Sequence, residues 1–220
     1  LSTFASFATL WLMPRLSAFQ KSQPPFDIRI SAIDRMTELD EPDLDLLLRY
    51  CLPEDAPPIA ERLFGEQLTP VASARLLELS RSGQAPPLRQ PADLAAHVLL
   101  EEDDSRLRSA YQLSWRRWLA EQGLAAFEPR GWLYLNYTHQ QVQGALAGQG
   151  VALARIALVH DLLERSELVE LFDGRCRIAS TACYYLVEMP LAPRRPELVD
   201  CTAWIRAEAA RTRAALGEAP

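Results

Sequence analysis

Apolar and polar positions along this chain switch between two periods, and the ten residues Gly144–Leu153 (GALAGQGVAL) show the change most clearly. From about Thr138 the spacing is helical, with Val142 and Leu146 four apart on one face. Gly148 and Gly150 stop that helix, because glycine enters the left-handed conformation at little steric cost. Val151, Ala152 and Leu153 follow without a polar residue, as in a strand covered on both faces. Helix, glycine stop and buried strand make half of an α/β unit. Just upstream, Asn136, Tyr137, Thr138 and His139 place polar side chains where a strand gives way to the helix. Open α/β sheets bind ligands at the carboxyl ends of strands, beside helix N-termini.

The same two periods organise the rest. Ser6–Gln20 has helical spacing through Leu10, Met13 and Leu16, with Ser6 placed as N-cap. Asp27–Ile33 alternates as a strand with one covered face, and Asp45–Tyr50 is a second strand. Leu63–Ala72 holds one or two strands interrupted by Gly65, and ARLLELSR (Ala74–Arg81) is a short helix. The loop SGQAPPLRQP is the strongest punctuation in the chain. Ala92–His97 is expected as a helical turn, Val98–Leu100 as a short buried strand, and Glu101–Asp104 as a solvated acidic loop. Trp115–Gln122 is an amphipathic helix, on which Trp115 and Trp118 suit packing better than a stacking platform for bases. Trp132–Leu135 is a strand, Ala157–Glu164 a helix, Leu168–Phe172 extended, Ala182–Val187 a strong β segment and Leu198–Leu216 a long helix. Alternating strands and helices predict an α/β fold with largely parallel sheets. Two such runs, on either side of Pro86–Pro91, suggest two lobes.

Size and charge narrow the possibilities. The chain has 220 residues, 49% hydrophobic and 24% charged, within the ordinary range for a globular protein. A net charge of −6 argues against a grip on nucleic acid by this polypeptide alone. Cys51, Cys176, Cys183 and Cys201 are scattered, without metal-ligand spacing, and are read as small buried or reduced residues. The apolar start LSTFASFATLWLMP lacks a basic leading region and is too short to span a bilayer, which points to a cytoplasmic protein. No nucleophile–base set and no phosphate-binding GxGxxG or GxxxxGK[ST] is present, so neither an enzyme nor a cofactor is expected.

Several segments, taken in order, resemble the effector-binding domain of LysR-type transcriptional regulators, in particular the glycine-cleavage-activator-like subgroup. They are SFATLWLMPRL (Ser6–Leu16), DLDLLLRY (Asp43–Tyr50), ERLFGEQLTPVAS (Glu61–Ser73), PLRQPADLAAHVLL, WRRWLAEQGL, GALAGQGVAL, YYLV and a last helix ending EAARTRAA. The resemblance implies a type 2 periplasmic-binding-protein fold: two Rossmann-like α/β lobes joined by crossing strands, with an effector in the cleft. Residues 1–70 and 183–220 would form lobe I and 71–182 lobe II. It implies a small-molecule effector, antiparallel dimers within tetramers, and DNA binding only through an N-terminal winged helix-turn-helix absent from this chain. In the dimer, Leu10–Gln20 and Asp27–Ile33 of one protomer would meet Gln140–Ala147 of the other; no membrane partner is implied. The chain departs from the family pattern at Leu10–Trp11, where Arg-Trp is common, and at LNYTHQQ, which replaces a usual F-x-D/S-S turn. A solute-binding protein of a transport system shares the fold and is the alternative.

Strand ends and helix starts supply the expected ligand residues. From the first lobe these are Ser6 and Phe7 at the first helix start, Ile33 and Asp34, and Tyr50 and Cys51. Ser6 fits both capping and anion binding, and Asp34 could equally pair with Arg35 or face solvent. From the second lobe come Leu100 and Glu101, then Asn136, Tyr137, Thr138 and His139. Thr138 could donate to a carboxylate while capping its own helix, and His139 fits a packed or exposed histidine better than a proton switch. Arg155 fits a counter-ion for an anionic effector or a solvated arginine equally.

Overall fold

The computed structural model describes residues 1–22, 26–32, 43–103, 114–193 and 195–218. The chain begins with β1 (Ser2–Thr3), α1 (Ala5–Phe7), a π-helical turn and α2 (Met13–Ser22), then β2 (Ser31–Ala32), β3 (Leu46–Cys51) and β4 (Glu61–Phe64). Next come β5 (Gln67–Ser73), α3 (Ala74–Arg81), a 3-10 helix over Pro91–Ala96, β6 (Val98–Glu102), α4 (Trp115–Glu121) and β7 (Gly131–Leu135). The remainder is α5 (Thr138–Leu146), β8 (Val151–Arg155), α6 (Ile156–Glu164), β9 (Leu168–Glu170), β10 (Ile178–Ala179), β11 (Cys183–Glu188) and α7 (Pro196–Leu216). Leu1–Glu66 with Thr181–Pro220 make one compact unit, and Gln67–Ser180 make the other. The Pro86–Pro91 loop lies inside the second unit.

Unit 1 is built on a sheet of order β2-β1-β3-β11-β4. Its core is aromatic: Phe7 stacks on Trp11 at 4.7 Å between ring centroids, and Tyr184 lies 4.7 Å from both Phe64 and Tyr50. The two polar rings find partners, as buried Trp and Tyr must. The Trp11 Nε1 donates to Thr212 of α7 at 2.9 Å, and the Tyr184 hydroxyl donates to the buried Glu66 carboxylate at 2.5 Å.

Unit 2 has the sheet order β10-β5-β8-β6-β7, with β9 also paired to β5. Trp115 and Trp118 are wholly buried on one side of it, edge to face at 5.4 Å. Each indole N–H is spent on a backbone carbonyl, Leu100 at 2.9 Å and Cys176 at 2.7 Å. These are packing residues, as the helical spacing predicts.

Most expected elements appear within a residue or two, and three expectations need correction. The segment 27–33 forms a strand only at Ser31–Ala32 among its described residues, with Phe26–Ile30 irregular. The acidic stretch is not a solvated loop at its start: Glu101 and Glu102 continue β6, pairing with Tyr134 and Leu135, while Asp104 lies outside the described residues. The sheets are also more mixed than expected. β1 is parallel to β2 and β3, and β6 is parallel to β7 and β8, yet β5 and β11 run antiparallel to each of their partners. Apolar periodicity marks a strand without its direction; direction follows the connection, and only helical crossovers return the chain parallel.

The joint at Gly144–Leu153 shows why its glycines stand where they do. Gly148, at φ +74°, closes α5; its N–H reaches the Ala145 carbonyl at 2.9 Å, and Gln149 N–H reaches Gly144 at 3.0 Å. That is the doubly bonded left-handed helix stop. Gly150 serves packing instead: a Cβ there would lie 2.3 Å from the Val98 carbonyl oxygen. Gly150→Ala should therefore cost about 1–3 kcal/mol of stability by overpacking, read as a lower urea midpoint. Gly131→Ala, with nothing within 4 Å of its added Cβ, is the control and should change little.

Candidate functional site

Because β6, β7 and β8 run parallel, their carboxyl ends lie along one edge of the unit 2 sheet. That edge brings Thr138 and Arg155 together on Glu102, which sequence reasoning missed, while Glu101, the preceding strand residue, accepts from the Trp115 N–H instead. One Glu102 carboxylate oxygen accepts from Thr138 Oγ1 at 2.9 Å and from Arg155 Nη2 at 3.4 Å. Thr138 is 2% exposed and Arg155 7%, so Arg155 is not a solvated arginine. Nor does Thr138 cap its own helix: Tyr137 takes the N-cap position in extended conformation, and the Thr138 hydroxyl is directed to Glu102. The signal for Glu102 was present in VLLEE, where the strand simply runs on into the acidic stretch.

Around this group the fold is tied down through backbone. Leu100 is wholly buried and its carbonyl accepts both the Trp115 indole and the Gln141 amide at 3.1 Å. It is a structural anchor and offers no ligand surface, a correction to its expected role. The Asn136 N–H donates to Gln140 Oε1 at 3.1 Å, and the Tyr137 and His139 rings stack at 5.3 Å. The exposed Asn136 and the partly buried Tyr137 and His139 thus flank the buried Thr138.

Glu101 stands apart electrostatically. Burial is the main cause that raises its pKa, from 4.5 to about 7; the adjacent Glu102 and Asp103 add to this, and the Trp115 N–H at 3.2 Å works against it. The carboxyl therefore keeps its proton well above the pH at which an exposed glutamate loses it.

In unit 1 the expected residues divide. Tyr50 and Cys51 end β3 at the edge where β1 leads into α1, and Phe4 lies 6.3 Å from Tyr50. Phe7 belongs to the aromatic core at 1% exposure, and its ring is covered by Trp11 and Tyr184. Ser6 is not the N-cap: Phe4 is, and Ser6 lies buried within the first turn. The helix begins at Ala5, one residue before Ser6, and Phe4 has no side-chain acceptor with which to cap it. Ile33 and Asp34 lie outside the described residues. A cavity of about 770 Å³ opens at the other edge, lined by Ser2, Asp27, Arg29, Asp45, Leu46 and Arg195 among others, and among the described residues none of the expected ligand residues lines it. Among the described residues no three His, Cys, Asp or Glu gather as a metal ion requires, and no helix is long and apolar enough to cross a membrane.

Glu101 makes the stability of the chain pH-dependent. Between pH 4.5 and about 7 the folded state holds a proton that the unfolded state has lost, so stability falls as pH rises through that window. Each pKa unit corresponds to about 1.4 kcal/mol. Glu101→Gln should remove this loss: from about pH 5 to about pH 8, urea unfolding of the wild type should weaken by about 1 kcal/mol or more relative to the variant. Parallel curves for the two proteins would contradict the assignment.

Comparison with known proteins agrees with this architecture. The family model described as "LysR substrate binding domain" matches residues 1–209. The glycine cleavage system transcriptional activator of Escherichia coli K12 is 32% identical over 209 residues, covering 95% of this chain and 64% of that protein. The transcriptional activator AmpR of Providencia stuartii is 28% identical over 207 residues, with 94% and 64% covered. The chain thus spans 64% of the length of these curated relatives. Among solved structures, the effector domain of AmpR from Pseudomonas aeruginosa superimposes with a TM-score of 0.68 at 24% identity, covering 98% of this chain and 97% of that one. The AmpR effector-binding domain from Citrobacter freundii gives 0.68 at 23%, with 96% of each chain covered. The two-sheet α/β fold is the periplasmic-binding-protein-like fold of these domains, and the chain belongs to the LysR substrate-binding domain family.

Proposed function

We propose that this chain is the ligand-sensing and oligomerising domain of a bacterial LysR-type transcription regulator working in the cytoplasm. DNA binding belongs to a winged helix-turn-helix domain of the full-length regulator. The family match supports the sensing role. The observation that carries the site is the convergence of Thr138 and Arg155 on one oxygen of Glu102, at the carboxyl edge of parallel strands. The ligand is a small anionic metabolite. Its acidic group replaces Glu102 as the partner of Arg155, and Asn136, Tyr137 and His139 supply specificity where this chain departs from its family. On unit 1, Tyr50, Cys51 and the α1 start are the corresponding candidates. Binding changes the regulator's hold on DNA through differential affinity for two arrangements of the oligomer. Met13, 59% exposed on α2, suits the proposed antiparallel dimer, in which α2 meets the partner's α5.

Thermal shift against a panel of carboxylates, amino acids and neutral aromatics tests the ligand class. Stabilisation by carboxylates is expected, and Arg155→Gln should weaken it by about tenfold or more, the size of a lost charge-assisted hydrogen bond. Affinity for the anion should fall as pH rises through the Glu101 transition at about 7, and fall less in Glu101→Gln. Stabilisation only by uncharged or cationic compounds would overturn the proposal. Sedimentation across protein concentration tests the dimer, and a strict monomer throughout would remove it.

A further inference from the structure

Cys51 is the last residue of β3 and Cys183 the first of β11, and the ladder makes them direct Cα partners. Opposed residues of an antiparallel pair project their side chains to the same face. Their Cα atoms stand about 4.5 or 5.5 Å apart according to the kind of pair, and disulfides accept roughly 4.4–6.8 Å. Opposed Cβ atoms stand about 4.5–5.5 Å apart and a disulfide needs roughly 3.5–4.5 Å, so a small shift at these strand ends at most separates the pair from bonding. Both thiols are free.

Thiol chemistry proceeds through the thiolate, and although burial raises the Cys51 thiol, a guanidinium serves each cysteine. The Arg62 Nε donates to Cys183 Sγ at 3.4 Å, while its Nη2 is held by Glu218 at 2.9 Å. Arg49, two residues before Cys51, favours the Cys51 thiolate, against burial, Asp55 and Cys183, which together push that thiol up. Cys51 is the more open of the two sulfurs, being half-buried where Cys183 is buried.

We propose that Cys51 and Cys183 are an oxidisable dithiol that a hydroperoxide closes to a cross-strand disulfide. The Cys51 thiolate attacks the peroxide, breaking the O–O bond; it becomes a sulfenic acid, and the peroxide leaves as alcohol or water. Cys183, held by Arg62, then attacks the sulfenic sulfur; the S–S bond forms, the S–O bond breaks, and the hydroxide leaves as water with the second proton. In total two thiols lose two electrons and two protons, and one hydroperoxide is reduced. The bond ties the end of β3 to the start of β11 and is reversed by thiol–disulfide exchange. The proposal is independent of the anionic-ligand reading.

The reduced chain is exposed to graded hydrogen peroxide, alkylated under denaturing conditions and digested without reduction. Mass spectrometry should find a Cys51–Cys183 linked peptide pair, two hydrogens lighter than its parts, abolished by dithiothreitol. Cys176 and Cys201 should remain alkylated. Cys183→Ser should leave a Cys51 sulfenic acid that dimedone traps, and Arg62→Gln, which removes the hydrogen bond that holds Cys183 Sγ, should slow closure by about threefold or more. Recovery of both residues alkylated after peroxide treatment, or each carried to sulfinic acid without a link, overturns the proposal. Neither outcome bears on whether a carboxylate binds at Arg155.

Discussion

The chemistry of unit 2 depends on one close approach of backbone to backbone. β8 enters the sheet beside β6 only because Gly150 has no side chain to meet the Val98 carbonyl. That approach sets the pairing Leu99↔Val151 and Leu100↔Ala152. With β7 parallel on the other side, three strands end along one edge. Glu101 and Glu102, the start of α5 and Arg155 stand together because their strands end together. A parallel ladder therefore does the positioning, and no loop has to hold these groups in place.

The same edge shows how burial redistributes charge. Arg155, almost wholly buried, lies 3.4 Å from a Glu102 oxygen that is already taken by a hydroxyl at 2.9 Å. Burying a cation is costly unless it is paired, and Glu102 is one partner of this guanidinium. Glu101 avoids the same cost differently, by holding its proton to about pH 7. Two neighbouring carboxyls on one strand thus serve different ends: one receives donors, while the other keeps its proton to a higher pH than an exposed glutamate would. Unit 1 follows another logic. Its polar rings are anchored to buried partners, Thr212 and Glu66, inside an aromatic core. Its free thiols meet across a ladder instead of at strand ends.

Much of this architecture was legible in the chain. The helix, glycine stop and strand at Gly144–Leu153, the amphipathic helix at Trp115 and the β segment at Cys183 all form where their periods predict. The junction Asn136–His139 was legible as a strand-to-helix turn, and it does lead from β7 into α5. Local capping was not. Ser6 and Thr138 look like caps by position, yet both are buried, and the Thr138 hydroxyl finds a better acceptor on another strand.

By itself, the sequence determined which segments become helices and strands, where they stop, and to which family the chain belongs. Those properties rest on local periodicity, on glycine and proline, and on motif order. The tertiary structure decided strand direction, the partnership of Glu102 with Thr138 and Arg155, and the facing of Cys51 by Cys183. The physical reason is the same in each case. Register and direction are set by packing between segments remote in the chain, and a side chain's charge state is set by what that packing removes from water.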